Sequence, residues 1–141
     1  MFHFTPHALW LGNSGSTRDP RTILASGITT VVELAMEEPP ARLAREMCQL
    51  RFPLSDGGGN PRSLLALTLR TVAALLRTET PTLLCCSMGM SRTPATAAFA
   101  LELATGVPAT QILQEIRART VCDVSPALWA EMMDAMAAAR S

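Results

Sequence analysis

Apolar residues recur along this chain with two different periods, and the switching between them outlines the architecture. Continuous β-branched or apolar runs at residues 28–32 and 82–85 predict buried strands, and a third strand is expected near Cys48 to Phe52. Elsewhere the spacing is helical. Leu65, Leu69, Val72 and Leu76 fall on one helix face, with Arg62, Arg70 and Arg77 outside it. Ile112, Leu113 and Ile116 stripe a helix from about Pro108 to Arg119, and Leu128, Trp129, Met132, Met133 and Met136 make the buried face of the last one. The methionine stripe reads as core filler. The segment 95–103 is apolar nearly all round, which places it inside the protein.

Turn and cap residues punctuate these segments. Asp19-Pro20 is an N-cap followed by proline at the first helical position, and Gly27 ends the short helix it starts. Glu37-Glu38-Pro39-Pro40 is a loop, followed by a weak helix over 41–46. Asp56-Gly57-Gly58-Gly59-Asn60-Pro61 is expected to be the most flexible stretch, with Asn60-Pro61 capping the next helix. Gly106 ends the apolar helix and Ser125-Pro126 starts the last. Strands alternating with helices predict an α/β fold, one domain over 1–141, with a central mostly parallel sheet and helices on both faces.

Charge excludes several functions. The formal net charge is zero, so no general attraction to nucleic acid or membrane is expected. All twelve basic residues are arginine, and without lysine the chain has no Walker-type nucleotide loop. Residues 1–6 show neither a basic n-region nor an apolar h-region, and no apolar run is long enough to span a bilayer. A cytoplasmic, monomeric protein, little more than one domain, is the expectation. The cysteines are Cys48, Cys85, Cys86 and Cys122; none makes a C-x-x-C pair, so no metal is expected. Cys48 and Cys122 read as buried small apolar residues, and a bond between adjacent Cys85 and Cys86 would be strained. His3 and His7 read as surface residues with no motif linking them to a cysteine, and Glu33, Glu37 and Glu38 as solvated acids.

The chemistry concentrates in Cys85-Cys86-Ser87-Met88-Gly89-Met90-Ser91-Arg92-Thr93-Pro94. Strand before and helix after make residues 87–91 a tight turn, with N–H groups converging at a helix N-terminus. Such a turn binds dianions. The same field lowers a cysteine pKa from its usual value of about 8.5, producing a thiolate at neutral pH, a state compatible with a reducing compartment. Arg92 adds a planar fork able to clamp two oxygens, and Gly89 lets the backbone approach closely. The hydroxyls of Ser87, Ser91 and Thr93 are each able to cap the helix. Met88 and Met90 stand where basic side chains would grip a multiply phosphorylated headgroup, which lowers the expectation of phosphoinositides and RNA triphosphate ends. Asp56 is either a solvated Asp-Gly turn residue or an acid presented on a glycine loop.

This segment resembles the signature loop of the protein tyrosine phosphatases, and Ser91-Arg92-Thr93-Pro94 looks most like the dual-specificity branch. The resemblance extends along nearly the whole chain: Thr5-Pro6-His7-Ala8-Leu9-Trp10-Leu11-Gly12-Asn13 looks like that branch's opening strand, and Gly27-Ile28-Thr29-Thr30-Val31-Val32-Glu33-Leu34 like its second. Leu54-Ser55-Asp56-Gly57 falls 30 residues before Cys86, where the family carries its general acid on a mobile loop. The resemblance implies a phosphatase-like fold and phosphomonoester hydrolysis through a phosphocysteine, with no cofactor. Cys86 would be the nucleophile, Arg92 the clamp, Asp56 the acid and Thr93 the hydroxyl that helps release the thiolate. The backbone of Ser87, Met88, Gly89, Met90, Ser91 and Arg92 would hold the phosphate. The expected substrates are phosphotyrosine and phosphoserine/threonine in proteins, or a small phosphomonoester. One position departs: the family's usual histidine before the nucleophile is Cys85 here. Cys85 or Cys122 would be candidates to cap an oxidised Cys86 as a disulfide. Two alternatives stay open, a non-catalytic phosphoresidue-binding module and a sulfur-transfer or arsenate-reducing enzyme with a similar turn.

Overall fold

Five strands form one sheet in the computed structural model, which describes residues 1–141. They are β1 (Phe2–His3), β2 (Leu9–Asn13), β3 (Thr30–Ala35), β4 (Cys48–Leu54) and β5 (Thr82–Cys86), in the order β1-β2-β5-β3-β4. The four longer strands are parallel, and β1 pairs antiparallel at the edge through Phe2 with Leu11 and His3 with Trp10. Two residues carry no readable period, so β1 left no mark in the pattern. Parallel neighbours need crossovers. Helix α1 (Pro20–Ala25) lies between β2 and β3, and α2 (Arg62–Arg77) between β4 and β5. The chain then finishes with α3 (Arg92–Thr105), α4 (Ala109–Arg117) and α5 (Pro126–Arg140).

The two faces of the sheet are unequal. Helices α2 to α5 pack together over the main core, while α1 covers a small cluster of Ile23, Ile28, Val31, Leu83 and Cys85. Strand alternation sorts β5 between them: Leu84 and Cys86 enter the main core, Leu83 and Cys85 the small one. Helix α3 touches α2, α4, α5 and the sheet, and every residue from Arg92 to Leu101 is buried. Its Ala95, Ala97, Ala98 and Ala100 are short enough to admit neighbours from all sides. Gly106, at φ 82°, closes it in the left-handed conformation that favours glycine. Ser125 caps α5, its hydroxyl accepting from the Leu128 N–H. No helix is long and apolar enough to cross a membrane.

Five expectations fail. Residues 41–46 form no helix; at their start the buried Glu33 carboxylate takes the Ala41 N–H at 2.7 Å and the Gln49 amide bridges Glu33 Oε2 and the Ala41 carbonyl. That network also corrects the reading of Glu33 as solvated. Cys48 is exposed, on the outermost strand β4, and Cys122 is half-buried. Met133 is 55% exposed: the buried side of α5 is Leu128, Met132, Ala135, Met136 and Ala139, with Trp129 lying partly buried on Phe99.

Candidate active site

The turn from β5 to α3 is held from outside by its carbonyls. The Ser87 carbonyl accepts from the Ser14 N–H at 3.3 Å and the Ser14 hydroxyl at 3.2 Å, and the Met90 carbonyl from the Asp123 N–H at 2.8 Å. The N–H groups of Ser87, Met88, Met90, Ser91 and Arg92 donate to no protein atom, and that of Gly89 reaches Cys86 Sγ at 3.3 Å. Orphan donors at a helix start beside a nearly buried sulfur are the elements of an anion cradle. Gly89 has φ 77°, and a Cβ there would lie 2.8 Å from the Gly12 carbonyl oxygen. Glycine is therefore required by both backbone angle and space. Met88 is 69% exposed, consistent with a backbone contribution only.

Arg92 is 4% exposed. Its NH1 donates to Glu37 Oε1 at 2.6 Å and to the Leu54 carbonyl at 2.9 Å, and its NH2 to Glu37 Oε2 at 2.6 Å. NH1 is thereby saturated. Nε is buried with no partner, and NH2 keeps one free hydrogen. One edge of the fork is fixed and the other keeps unused donors. The hydrogen bonds from Arg92 hold the Glu37 carboxyl down at about 2, and Glu37 in turn raises the arginine. The Glu37 side chain stays 55% exposed, as expected of a solvated acid, and what the pattern does not show is its partner 55 residues away. A signal was present in its place just past the carboxyl end of β3, beside the strand that carries the turn. The Ser87 hydroxyl lies 3.0 Å from Glu37 Oε2 and 3.2 Å from Glu38 Oε2, so neither acid is simply solvated.

Asp56 is brought to this turn by the β4–α2 connection. Its Oδ1 accepts from the Ser91 hydroxyl at 2.7 Å, while the Ser91 oxygen accepts from the Ser125 N–H at 3.0 Å. The surrounding glycine loop is tied down, contrary to its expected flexibility. Asn60 Oδ1 takes the Ser55 N–H at 2.8 Å, and Asn60 Nδ2 donates to the Ser55 and Gly57 carbonyls at 3.0 and 3.3 Å. With its side chain turned inward Asn60 does not cap α2, which starts after Pro61 without a side-chain cap.

Thr93 is fully buried, its hydroxyl 3.4 Å from the Gly12 carbonyl. Cys85 points to the opposite face from Cys86, its Sγ 3.7 Å from the Val32 carbonyl. Burial, then the charge of Glu33, push its thiol up to about 12. It is a neutral thiol turned away from the nucleophile, which argues against it as the disulfide partner; Cys122 Sγ faces its own Thr120 carbonyl. Beside Cys86 opens a cavity of about 370 Å³ between the loops after β2 and β3, bordered by Ser14, Arg18, Glu38, Pro39 and Arg42.

No protein-family model matches the chain, and no curated protein matches it by sequence. Solved structures do match in fold. Human DUSP28 has a TM-score of 0.80 at 22% identity, covering 93% of this chain and 92% of its own. A mouse putative dual specificity phosphatase complexed with zinc tungstate gives 0.80 at 22%, covering 98% and 92%. DUSP15 gives 0.81 at 20% identity, covering 99% and 90%. The fold is that of the dual-specificity branch of the protein tyrosine phosphatases.

Proposed function

We propose that the protein hydrolyses phosphomonoesters through a phosphocysteine, and that phosphotyrosine and phosphoserine/threonine in proteins are its substrates. The observation that carries this reading is the half-used guanidinium of Arg92. Glu37 and the Leu54 carbonyl occupy one edge, so the Nε–H and the remaining NH2 hydrogen stand ready for two oxygens of one phosphate beside Cys86. Five further N–H groups of the turn have no protein acceptor and meet the remaining charge.

Cys86 thiolate attacks phosphorus as the bond to the leaving oxygen breaks, and protonated Asp56 supplies that oxygen's proton. Ser91 engages Oδ1, leaving Oδ2 to carry the proton. In the second step water attacks phosphorus and gives its proton to ionised Asp56, the S–P bond breaks, and Cys86 returns as thiolate. Thr93 eases that return, since its long bond to the Gly12 carbonyl is readily exchanged for one to sulfur. Arg92 and the amides offset the charge of the transferring group, so the reaction needs no metal. The tungstate in the mouse neighbour, a tetrahedral oxyanion, is in keeping with this assignment.

An acid linked to the phosphate turn supports hydrolysis over sulfur transfer, arsenate reduction or simple phosphoresidue binding, none of which needs a leaving-group acid. The test is hydrolysis of phenyl phosphate, whose leaving group needs a proton, in excess chelator by wild type and Asp56→Asn, with mass spectrometry of acid-quenched enzyme. Expected are metal-independent turnover, a loss of about 10²–10⁴-fold in Asp56→Asn, and phosphate on Cys86 in both. Absence of turnover, or phosphate on any other residue, would overturn the proposal.

A further inference from the structure

The acid loop, residues 55–61, has three glycines and little apolar packing of its own, and Gly57 and Gly59 sit at φ 104° and 94°. A chain of that composition does not hold one shape unaided. Two side chains supply what it lacks. Asn60 closes it from within, bonding Ser55 and Gly57. Glu131 closes it from outside: Oε2 accepts the Gly59 N–H at 2.7 Å, and Oε1 accepts the Asn60 N–H and Asn60 Nδ2, each at 3.2 Å. Charged acceptors make such bonds stronger than neutral ones. Glu131 stands on α5 next to Met132, which is fully buried, and α5 packs along α2 and α3, so the carboxylate is delivered by a rigid element. The same helix reaches the acid by a second route, because Ser125 at its N-cap donates to Ser91, which donates to Asp56.

We infer that Glu131 is a positioning residue for the proposed reaction, holding the Gly59–Asn60 backbone so that Asp56 meets the leaving oxygen; this rests on Asp56 being the acid. Nothing in the sequence near Cys86 points to it, since it lies on the far side of two helices in chain order. The consequence is selective. A displaced acid matters little when the leaving group departs easily and greatly when it does not, whereas a general loosening of the protein slows every substrate alike.

The experiment measures kcat/KM for aryl phosphates of graded leaving-group pKa, from 4-nitrophenyl to phenyl phosphate, in wild type, Glu131→Gln and Glu131→Ala. Phenyl phosphate should lose roughly tenfold in Glu131→Ala, part of the about 10²–10⁴-fold that a placed acid supplies, with 4-nitrophenyl phosphate much less affected. Glu131→Gln, which keeps one acceptor oxygen, should fall between and stands in if the alanine variant fails to fold. In an Asp56→Asn background either change should cost nothing more, because residues acting through one group are not additive. A slow Asp56→Asn enzyme beside Glu131 variants with an unchanged leaving-group dependence overturns this inference alone. An Asp56→Asn enzyme as fast as wild type removes the acid assignment and this inference with it.

Discussion

The turn 86–92 and the glycine loop 55–61 meet at Ser91, yet each depends on a different part of the chain. In residues 86–92 the working groups are the sulfur, the arginine and the backbone amides, all within one strand-turn-helix. The neighbours that hold the turn, Ser14 and Asp123, do so by bonding its carbonyls. The side chains of Met88 and Met90 are therefore free to vary, whereas Gly89 is held because its lack of a side chain is the requirement. In residues 55–61 the situation is reversed. The backbone has no shape of its own, and side chains from Asn60, Glu131 and Ser91 impose one. A site built from backbone is robust to substitution but not to a change of local geometry; one built from distant side chains is sensitive to each of them.

The largest effect expected on the phosphate side is from Cys86→Ser. Turnover should fall to background while inorganic phosphate or tungstate still binds by calorimetry, because the amides and Arg92 remain. Activity within about tenfold of wild type, under 1.4 kcal/mol of barrier, would mean that another group is the nucleophile. Arg92→Lys comes next, with a loss on the order of a hundredfold or more in kcat, as for other preorganised charge stabilisers. A point charge reproduces neither the Glu37 pairing nor the open edge. A lysine enzyme close to wild type would show that the two-edged fork is not what matters.

The claim that backbone outweighs side chain in this loop is tested by a pair of variants. Gly89→Ala should destabilise the fold by about 1–3 kcal/mol, the usual cost of a strained backbone, and lower kcat/KM. Met88→Ala, at an exposed position, should do neither by chemical denaturation or kinetics. Equal effects from the two would break the comparison.

Glu37→Gln should be milder, a several-fold fall in kcat/KM, with a distinctive pH signature. The Glu37 pKa is lowered from 4.5 to about 2 on folding, chiefly by Arg92. A depressed pKa of this kind contributes stability that is complete above 4.5 and lost as pH falls toward 2. Urea midpoints should therefore decline across that window more steeply in wild type than in Glu37→Gln; parallel curves would mean the pair contributes nothing. The smallest effect concerns Cys85. Its thiol, held up at about 12, should resist iodoacetamide at pH 8 while the exposed Cys48 reacts, as mass spectrometry would show. Because that pKa is raised from 9.0, the contribution to stability is present below 9 and lost only as pH rises toward 12. Cys85→His, which would restore the residue usual in the resembling family, has to fit among Ile23, Ile28, Val31 and Leu83. Overpacking of this kind costs about 1–3 kcal/mol. Rapid alkylation of Cys85 would contradict its burial.

Much of the sheet was legible because its strands are buried on both faces and read as unbroken apolar runs, as at Val31-Val32 and Leu83-Leu84. Helix α3 was legible for the same reason, being enclosed on all sides. Irregular segments were not. Residues 41–46 carry enough helix-forming residues to suggest a helix, yet they form none, and Ala41 is bonded to Glu33 on β3.

That Cys86, Gly89 and Arg92 share one tight turn was determined by sequence alone, since consecutive backbone between a strand and a helix joins them. That Cys85 faces away from Cys86, and so is a poor disulfide partner for it, was shown by the structure, where the alternation of β5 sends the two thiols to opposite faces. Which acid grips Arg92, what Ser91 does with its hydroxyl, and why a glycine loop keeps its shape were decided by tertiary structure. Glu37, Glu38 and Glu131 all look like solvated acids in one dimension. Their difference arises from what the fold brings within hydrogen-bonding distance: a buried guanidinium for Glu37, a serine hydroxyl shared with it for Glu38, and two loop amides for Glu131. A hydrogen bond is made or lost over less than an ångström, and local periodicity carries no information about contacts that close across tens of residues.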